Sequence, residues 1–297
     1  MHWTALGIAI CFHLLKLTAL SRAWRNVIAA AYPQAEVRWR SIFGALAAGV
    51  GVNAIIPARG GDVVRLFLAK RRVQGSTYPT LASTLLLLTL FDFVLAGVLV
   101  LGASIAGKLP GATVLKRLPS FEFGWAFRHP DRALILAALV FIALTLVLLW
   151  YAERIEDFWR RITQGFAILR DGRAYLRRVA LWQAADWTLR LVTIYWFLRA
   201  FGLPASFANA LLVQASQSLA TLLPLAPSGI GTEQAFVLYV LRGKAARAVL
   251  LSFSVGMRLT LIVVNAALGF AAIFLMLRTF RWRERVGLET PEREGVR

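Results

Sequence analysis

Cysteine, histidine and acidic side chains are scarce in this chain of 297 residues. The single cysteine, Cys11, excludes an internal disulfide framework and any zinc or iron–sulfur site built from several cysteines. The three histidines are scattered, so they predict no imidazole cluster for a metal. Only 16% of the residues are charged and 59% are hydrophobic, unlike a soluble globular domain. We therefore expect no metal, no cofactor and no soluble enzyme.

The shortage of acidic residues leaves a strong positive balance. The 34 lysines and arginines exceed the 15 acidic residues and give a formal net charge of +19. In a soluble protein this charge would indicate a nucleic-acid partner, but here the basic residues lie between long apolar runs. That pattern is typical of cytoplasmic loops that face anionic lipid. We expect a multi-pass membrane protein whose basic loops lie on the cytoplasmic side, with no nucleic-acid partner.

Long apolar runs dominate the sequence, and several approach the ~20 residues that a membrane-spanning helix needs. Five of them are predicted to span: Trp3–Leu20, Thr80–Leu101, Arg132–Tyr151, Val179–Phe201 and Val249–Leu277. Two further apolar regions, residues 41–72 and 207–242, are interrupted near their middle. The predicted fold is an all-α polytopic membrane protein with about seven to eight hydrophobic segments. Residues 1–278 form one transmembrane domain, and 279–297 form a basic, disordered cytoplasmic tail.

The two interrupted regions carry runs of proline and glycine at residues 57–61 and 224–231. Each break leaves two pieces of ~13–18 residues, which are short for full spans. The economical interpretation is a pair of re-entrant hairpins. Basic loops placed on the cytoplasmic side give an outside N-terminus and an inside C-terminus, so that the hairpins are inverted copies. The alternative is short or tilted helices joined by surface turns.

Two features are predicted to lie at the membrane surface. The linker Glu153–Arg178 has apolar residues spaced among charges, as in a helix that rests on the interface. Lys16, close to the predicted end of the first span, is interpreted as a residue that reaches back to the headgroups.

Both breaks share the order proline, glycines, acid and then helix. Gly/Pro interruptions in two halves of a transporter mark its binding site, because half-helix N-termini direct N–H groups and a positive dipole at the substrate. Arginine adds a donor fork that matches phosphate. The sequence therefore predicts a site for a lipid phosphate, with these members: Arg59, Gly60, Gly61, Asp62, Arg65, Gly229, Gly231, Glu233 and Arg258. In the alternative, Asp62 and Thr232 are helix caps, the glycines permit packing and the arginines are headgroup anchors.

Charged residues also recur inside the uninterrupted spans. Asp92, Asp186 and Arg190 each cost at least ~2.5–3.5 kcal/mol at a helix centre without a partner, so they are predicted to face the interior. Asp186 and Arg190 are four residues apart and can pair on one helix face. These three residues and Asn53 are candidates for coupling or interior pairing. Gln214, Gln217 and Ser218 are equally consistent with ligand contact or with hydrogen bonds between helices.

The stretches Asn53–Arg65 and Leu223–Glu233, with Lys70 to Arg72, resemble the lysylphosphatidylglycerol synthase transmembrane region family of flippase-like integral membrane proteins. Asp62 stands where the family commonly has glutamate. The resemblance implies a polytopic inner-membrane protein that moves a lipid, with enzymes of lipid synthesis as candidate partners. The aminoacyl-transferase domain of full-length members is not part of this sequence, so synthase activity is not carried over.

These observations predict translocation of an anionic phospholipid or lipid-linked phosphate. The chain lacks the glycine-rich loop ending in Lys-Ser/Thr that binds ATP, so transport is expected to be passive or ion-coupled. One alternative is an intramembrane lipid-modifying enzyme that uses Asp62, Glu233 and the arginines for acid–base chemistry. Another is a non-transporting scaffold for a lipid-synthesis complex. The sequence leaves the oligomeric state open.

Overall fold

The computed structural model describes residues 2–56, 60–108, 152–222 and 231–287, and the side chains of these ranges except for 152–158, 221–222 and 277–287. Within these ranges every regular element is helical, which confirms the predicted all-α class. The helices of nine or more residues are α1 (Trp3–Ala31), α2 (Trp39–Ile55), α3 (Gly60–Lys70), α4 (Tyr78–Ile105), α5 (Ala152–Gly165), α6 (Leu181–Ala200), α7 (Phe207–Leu222), α8 (Thr232–Val240) and α9 (Arg247–Gly287).

Three described helices have the length and apolar composition to cross a membrane: α1, α4 and the Arg247–Met276 part of α9. The predicted span Val179–Phe201 corresponds to α6, which a π-helical turn over Leu176–Ala180 precedes. Helix α4 begins where the Thr77 side chain accepts a hydrogen bond from the Thr80 N–H, with Pro79 in the first turn. The predicted span Arg132–Tyr151 lies outside the described residues.

Two helices are longer than the sequence predicts. Helix α1 has 29 residues and continues past Leu20 because its last third is buried, with Trp24, Val27 and Ile28 fully inaccessible. Lys16 is therefore near the middle of this helix, and its assignment as a flank at the end of the first span was wrong. Helix α9 continues to Gly287, where the sequence predicts a disordered tail from residue 279.

The first interrupted region folds as a helical hairpin. Helices α2 and α3 pack closely, and a Cβ atom added to Gly61 would collide with the carbonyl oxygen of Gly49. Their 17 and 11 residues correspond to roughly 26 and 17 Å of helix, less than the ~30 Å of a bilayer's hydrocarbon core. These lengths suit a re-entrant hairpin, and re-entry itself stays a prediction.

The second interrupted region is likewise built from two short helices that contact each other. Helix α7 has 16 residues and α8 has nine. Gly231 precedes α8 with φ +85°, a left-handed conformation that glycine adopts without steric cost. The Gly231 N–H donates to Oε1 of Gln234, which satisfies one of the free donors at this helix N-terminus.

The first hairpin is joined to the rest of the bundle by the long contact of α2 with α9, and the second by contacts of α7 with α4 and α6. Helix α1 also packs along α6. At the crossing of α2 and α9 the backbones of Gly51 and Gly269 meet, since a Cβ on Gly51 would lie 2.5 Å from the Gly269 Cα. Glycine at such crossings allows helices to approach closely in membrane proteins. This packing places α1, α4, α6 and α9 around the two hairpins.

The linker Glu153–Arg178 is attached to the bundle at several points. Gln164 Nε2 donates to the Ala31 carbonyl oxygen at 2.8 Å, and Asn26 Nδ2 donates to the Arg178 carbonyl oxygen at 2.6 Å. Ile168 is buried in the core, whereas Trp159 remains exposed. One face of the linker therefore packs on the helices, so only its other face is available for the bilayer surface that the sequence predicts.

Candidate functional site

Two neighbouring cavities lie between the hairpins and the surrounding helices. The larger, which we call the central cavity, has a volume of about 490 Å³ and is lined by residues of α1, α2, α3, α4, α6, α7 and α9. The smaller, the side cavity, has about 320 Å³ and is lined by α2, α7, α8 and α9. Asn53, Gln217, Met257 and Leu261 line both. Asn53 and Gln217, which lie on the helices that lead to the two breaks, therefore belong to a wall that the two cavities share.

In the first hairpin, Asn53 connects the two halves. Its Oδ1 accepts a hydrogen bond from the Gly61 N–H at 2.8 Å, and its Nδ2 donates to Oδ1 of Asp62 at 3.0 Å. The same Asp62 oxygen lies 3.1 Å from Nη2 of Arg65, three residues along α3. The sequence predicts that the Gly61 N–H points at a substrate, whereas in the structure it donates to Asn53 of α2. Asp62 is paired with Arg65.

The second hairpin repeats this arrangement from other elements. Gln217 on α7 donates from Nε2 to Oε1 of Glu233 at 2.9 Å. The other Glu233 oxygen lies 3.0 Å from Nη1 of Arg258, which comes from α9. Each hairpin therefore has an amide on its first helix, an acid in the first turn of its second helix, and an arginine bound to the acid. We call these sets the amide–acid–arginine triads.

A third charged group lies between α4 and α6. Asp186 is 1% exposed, and its Oδ2 lies 2.8 Å from Nη2 of Arg190, one helical turn away. The same nitrogen is 3.9 Å from Oδ2 of Asp92. Trp187 Nε1 donates to the other Asp92 oxygen at 2.7 Å, and the Arg190 guanidinium lies 4.7 Å from the Trp187 ring centre. The three residues that the sequence places in the interior are thus brought together.

Sequence reasoning missed two residues of α1 that line the central cavity, His13 and Lys16. His13 Nε2 lies 2.7 Å from Oδ1 of Asn265, which joins α1 to α9. Lys16 interacts electrostatically with Asp92, Asp186 and Arg190, yet it forms no hydrogen bond or close ion pair with any residue that the structure describes. The apolar pattern continues through residue 31, and this feature of the sequence could have identified Lys16 as a mid-helix residue.

The described charges that line the two cavities are four cations and three acids: Lys16, Arg65, Arg190 and Arg258 with Asp62, Asp92 and Glu233. The buried Asp186 lines neither cavity but pairs with Arg190. Each arginine has an acid within 3.1 Å. Arg59 and Gly229 of the predicted site lie outside the described residues, whereas Gly60 begins α3, where an added Cβ would lie 3.7 Å from Cγ2 of Ile56.

Comparison with known proteins supplies the family. No curated protein and no solved structure gives a significant match to the chain. A family profile described as the lysylphosphatidylglycerol synthase transmembrane region matches residues 1–269. The match includes both hairpins and every charged residue that lines the two cavities. The chain belongs to the lysylphosphatidylglycerol synthase transmembrane region family and is an integral membrane protein of lipid handling.

Proposed function

We propose that the protein translocates a phosphate-bearing lipid across the bacterial cytoplasmic membrane. In this proposal the headgroup passes through the central cavity while the acyl chains stay in the hydrocarbon. The observation that carries the proposal is the cluster of charged side chains around a cavity of about 490 Å³ inside an apolar helical bundle. Ionisable residues at membrane depth are costly, and they typically mark a substrate or ion pathway.

The size and lining of the central cavity support this function. Its volume is within the ~300–1,000 Å³ of ordinary ligand pockets. Polar groups such as Thr89 and Gln214 share the lining with apolar ones such as Phe93 and Ile194. A polar headgroup and the first part of an acyl chain both find matching surface there.

The triads supply a route for a phosphate to enter. A phosphate offers an arginine the same two-pronged geometry as a carboxylate, so it can compete with Asp62 for Arg65 or with Glu233 for Arg258. When a phosphate takes the place of the acid on the arginine, the contact between that acid and that arginine is loosened. Because the two cavities share Asn53 and Gln217, the two triads lie on one continuous polar path.

The experiment is transbilayer movement of tail-labelled phospholipids in proteoliposomes, read by quenching with a membrane-impermeant reductant. We expect Arg65→Ala and Glu233→Gln to slow movement, since each removes a member of a triad. Arg38→Ala is the matched control, because Arg38 is exposed and its ion-pair partner among the described residues is the exposed Glu36. Mass spectrometry of the recovered lipids tests whether they stay chemically intact.

The outcomes separate this function from its two alternatives. Absence of movement for a broad lipid panel, with added proton or sodium gradients, would leave the scaffold as the better explanation. A chemically altered lipid would establish an intramembrane enzyme instead. Slower movement in the two triad variants, with Arg38→Ala at the wild-type rate, would support translocation along the paired hairpins.

A further inference from the structure

Asp186 is the most deeply buried acid that the structure describes, and only one of its two carboxylate oxygens is satisfied. Oδ2 lies 2.8 Å from Nη2 of Arg190, whereas Oδ1 has no hydrogen-bond partner in the described part of the chain. An unsatisfied acceptor away from water is unfavourable, above all on a charged group. A proton or a hydrogen-bond donor at Oδ1 would therefore stabilise this side chain.

Three helices bring charged or titratable groups to Asp186. Arg190 belongs to the same helix, α6, and its Nη2 also lies 3.9 Å from Oδ2 of Asp92 on α4. Lys16 and His13 of α1 both interact electrostatically with Asp186 and Arg190. We call Lys16, Asp92, Asp186 and Arg190 the Asp186 cluster. The other elements packed on α6 are α7, which is uncharged, α9, whose Arg258 binds Glu233, and the π-helical turn with the exposed Arg177 and Arg178.

The ligand that fits Oδ1 of Asp186 is a proton. A metal cation needs several oxygen ligands, and the described residues contain no group of three or more His, Cys, Asp or Glu side chains that could hold one. Lys16 and Arg190 would also repel a metal cation at this place. A phosphate is excluded because Oδ1 is itself an acceptor. A proton needs one oxygen, and it removes the charge of the acid instead of adding a second ion beside it.

Protonation of Asp186 changes the charge that the cluster presents to the central cavity. Lys16, Asp92 and Arg190 line this cavity, whereas Asp186 lies behind them. With Asp186 ionised, the two acids of the cluster offset its two cations. With Asp186 neutral, Asp92 alone remains against Lys16 and Arg190, and the cluster gains one positive charge beside the cavity. An uncompensated charge away from water is unfavourable, so a monoanionic headgroup binds better in the protonated state.

We propose that Asp186 binds the coupling ion of transport, a proton, and that one proton moves with each anionic phospholipid. This inference rests on the proposed translocation and names the ion that drives it. In the loading step a hydronium ion of the cavity water gives its proton to Oδ1 of Asp186 and leaves a water molecule. The contact of Asp186 with Arg190 weakens, and the lipid phosphate takes up the released positive charge. In the release step the lipid leaves on the other side and the proton returns to water.

The first test is uphill movement of tail-labelled phosphatidylglycerol in proteoliposomes that contain the full chain. A passive protein leaves the lipid evenly distributed, whereas proton–lipid symport enriches it in the leaflet that faces the alkaline side. With one proton per monoanion, a gradient of about one pH unit supports an enrichment of up to about tenfold. We expect enrichment with a proton gradient beyond that of protein-free liposomes, and none with a sodium gradient. An even distribution in the proton gradient, or enrichment by sodium, would overturn the inference.

The second test uses Asp186→Asn, because asparagine carries no titrating proton. Downhill movement of phosphatidylglycerol by the wild type should accelerate by up to about tenfold per pH unit as the pH falls through the range in which Asp186 takes up its proton. Asp186→Asn should move lipid at a rate that does not depend on pH, a result that a misfolded protein cannot give. Glu36→Gln is the matched control, because Glu36 is exposed, and it should keep the wild-type pH dependence. Wild-type pH dependence in Asp186→Asn would overturn the inference.

The third test measures the proton on Asp186 without any lipid movement. Infrared difference spectra of the purified full chain between acidic and neutral pH should show a carboxylic-acid C=O band in the wild type and in Glu36→Gln, but not in Asp186→Asn. If no band depends on Asp186, the proton site is overturned even where lipids move. If the band is present and no lipid of the panel moves, translocation fails and the coupling role fails with it. If phosphatidylglycerol moves but is never enriched, translocation stands and only the coupling is overturned.

Discussion

The contact between Gly49 and Gly61 can be tested with two adjacent glycines of α3. A Cβ on Gly61 would collide with the Gly49 carbonyl oxygen and would lie 2.8 Å from Cγ of Asn53. Among the described residues, a Cβ on Gly60 would meet only Cγ2 of Ile56, at an ordinary 3.7 Å. The substitutions Gly61→Ala and Gly60→Ala therefore make the same chemical change in the same helical turn, and only one of them forces α2 and α3 apart.

The expected magnitudes have opposite signs. Overpacking at Gly61 costs about 1–3 kcal/mol, and loss of the Gly61 to Asn53 hydrogen bond adds about 0.5–1.5 kcal/mol. The better helix propensity of alanine offsets up to about 1 kcal/mol of this loss of stability. We expect Gly61→Ala to lose about 0.5–4.5 kcal/mol on these terms, whereas Gly60→Ala is neutral or gains up to about 1 kcal/mol.

The assay is thermal unfolding of the purified protein in one detergent at one scan rate, because unfolding of membrane proteins is commonly irreversible. Gly61→Ala should lower the midpoint temperature relative to the wild type, and Gly60→Ala should not. Gly7→Ala is a second control, since no atom of the part of the chain that the structure describes lies within 4 Å of the added methyl group. Equal midpoints for Gly61→Ala and Gly60→Ala would refute the close packing of α2 on α3, and with it the Asn53 bridge.

Two further substitutions test the polar contacts. Arg190→Leu leaves Asp186 buried without its partner and should cost about 3–5 kcal/mol, while the double variant with Asp186→Leu should recover most of the loss in a thermal double-mutant cycle. Gln217→Leu removes the amide from the second triad and should cost about 1–3 kcal/mol of thermal stability. It should also slow lipid movement, whereas the same change at the exposed Gln74 should do neither. An Arg190→Leu loss that the double variant does not reduce, or a Gln217→Leu protein with wild-type stability and transport, would contradict these assignments.

Local spacing explains why some of the site was predictable. Asp186 and Arg190 are one helical turn apart, and Asp62 precedes Arg65 by three residues, so each pair shares a helix face wherever the helix lies. The hairpins were predictable for a similar reason, because proline and glycine interrupt a helix through their own backbone properties. The position at which α1 ends was not predictable, since its last third is held by burial of Trp24 against other helices.

The sequence by itself determined the class of protein, the positions of the helix breaks and the pairs within one helix, because composition and short spacings are local properties. Only the tertiary structure decided how the remaining polar groups are satisfied. Asn53 reaches across the first hairpin, and Arg258 comes from α9 to Glu233. Lys16 and Asp92 meet at one cavity although 75 residues separate them in the chain. Such contacts depend on which helices pack together, which no single segment specifies.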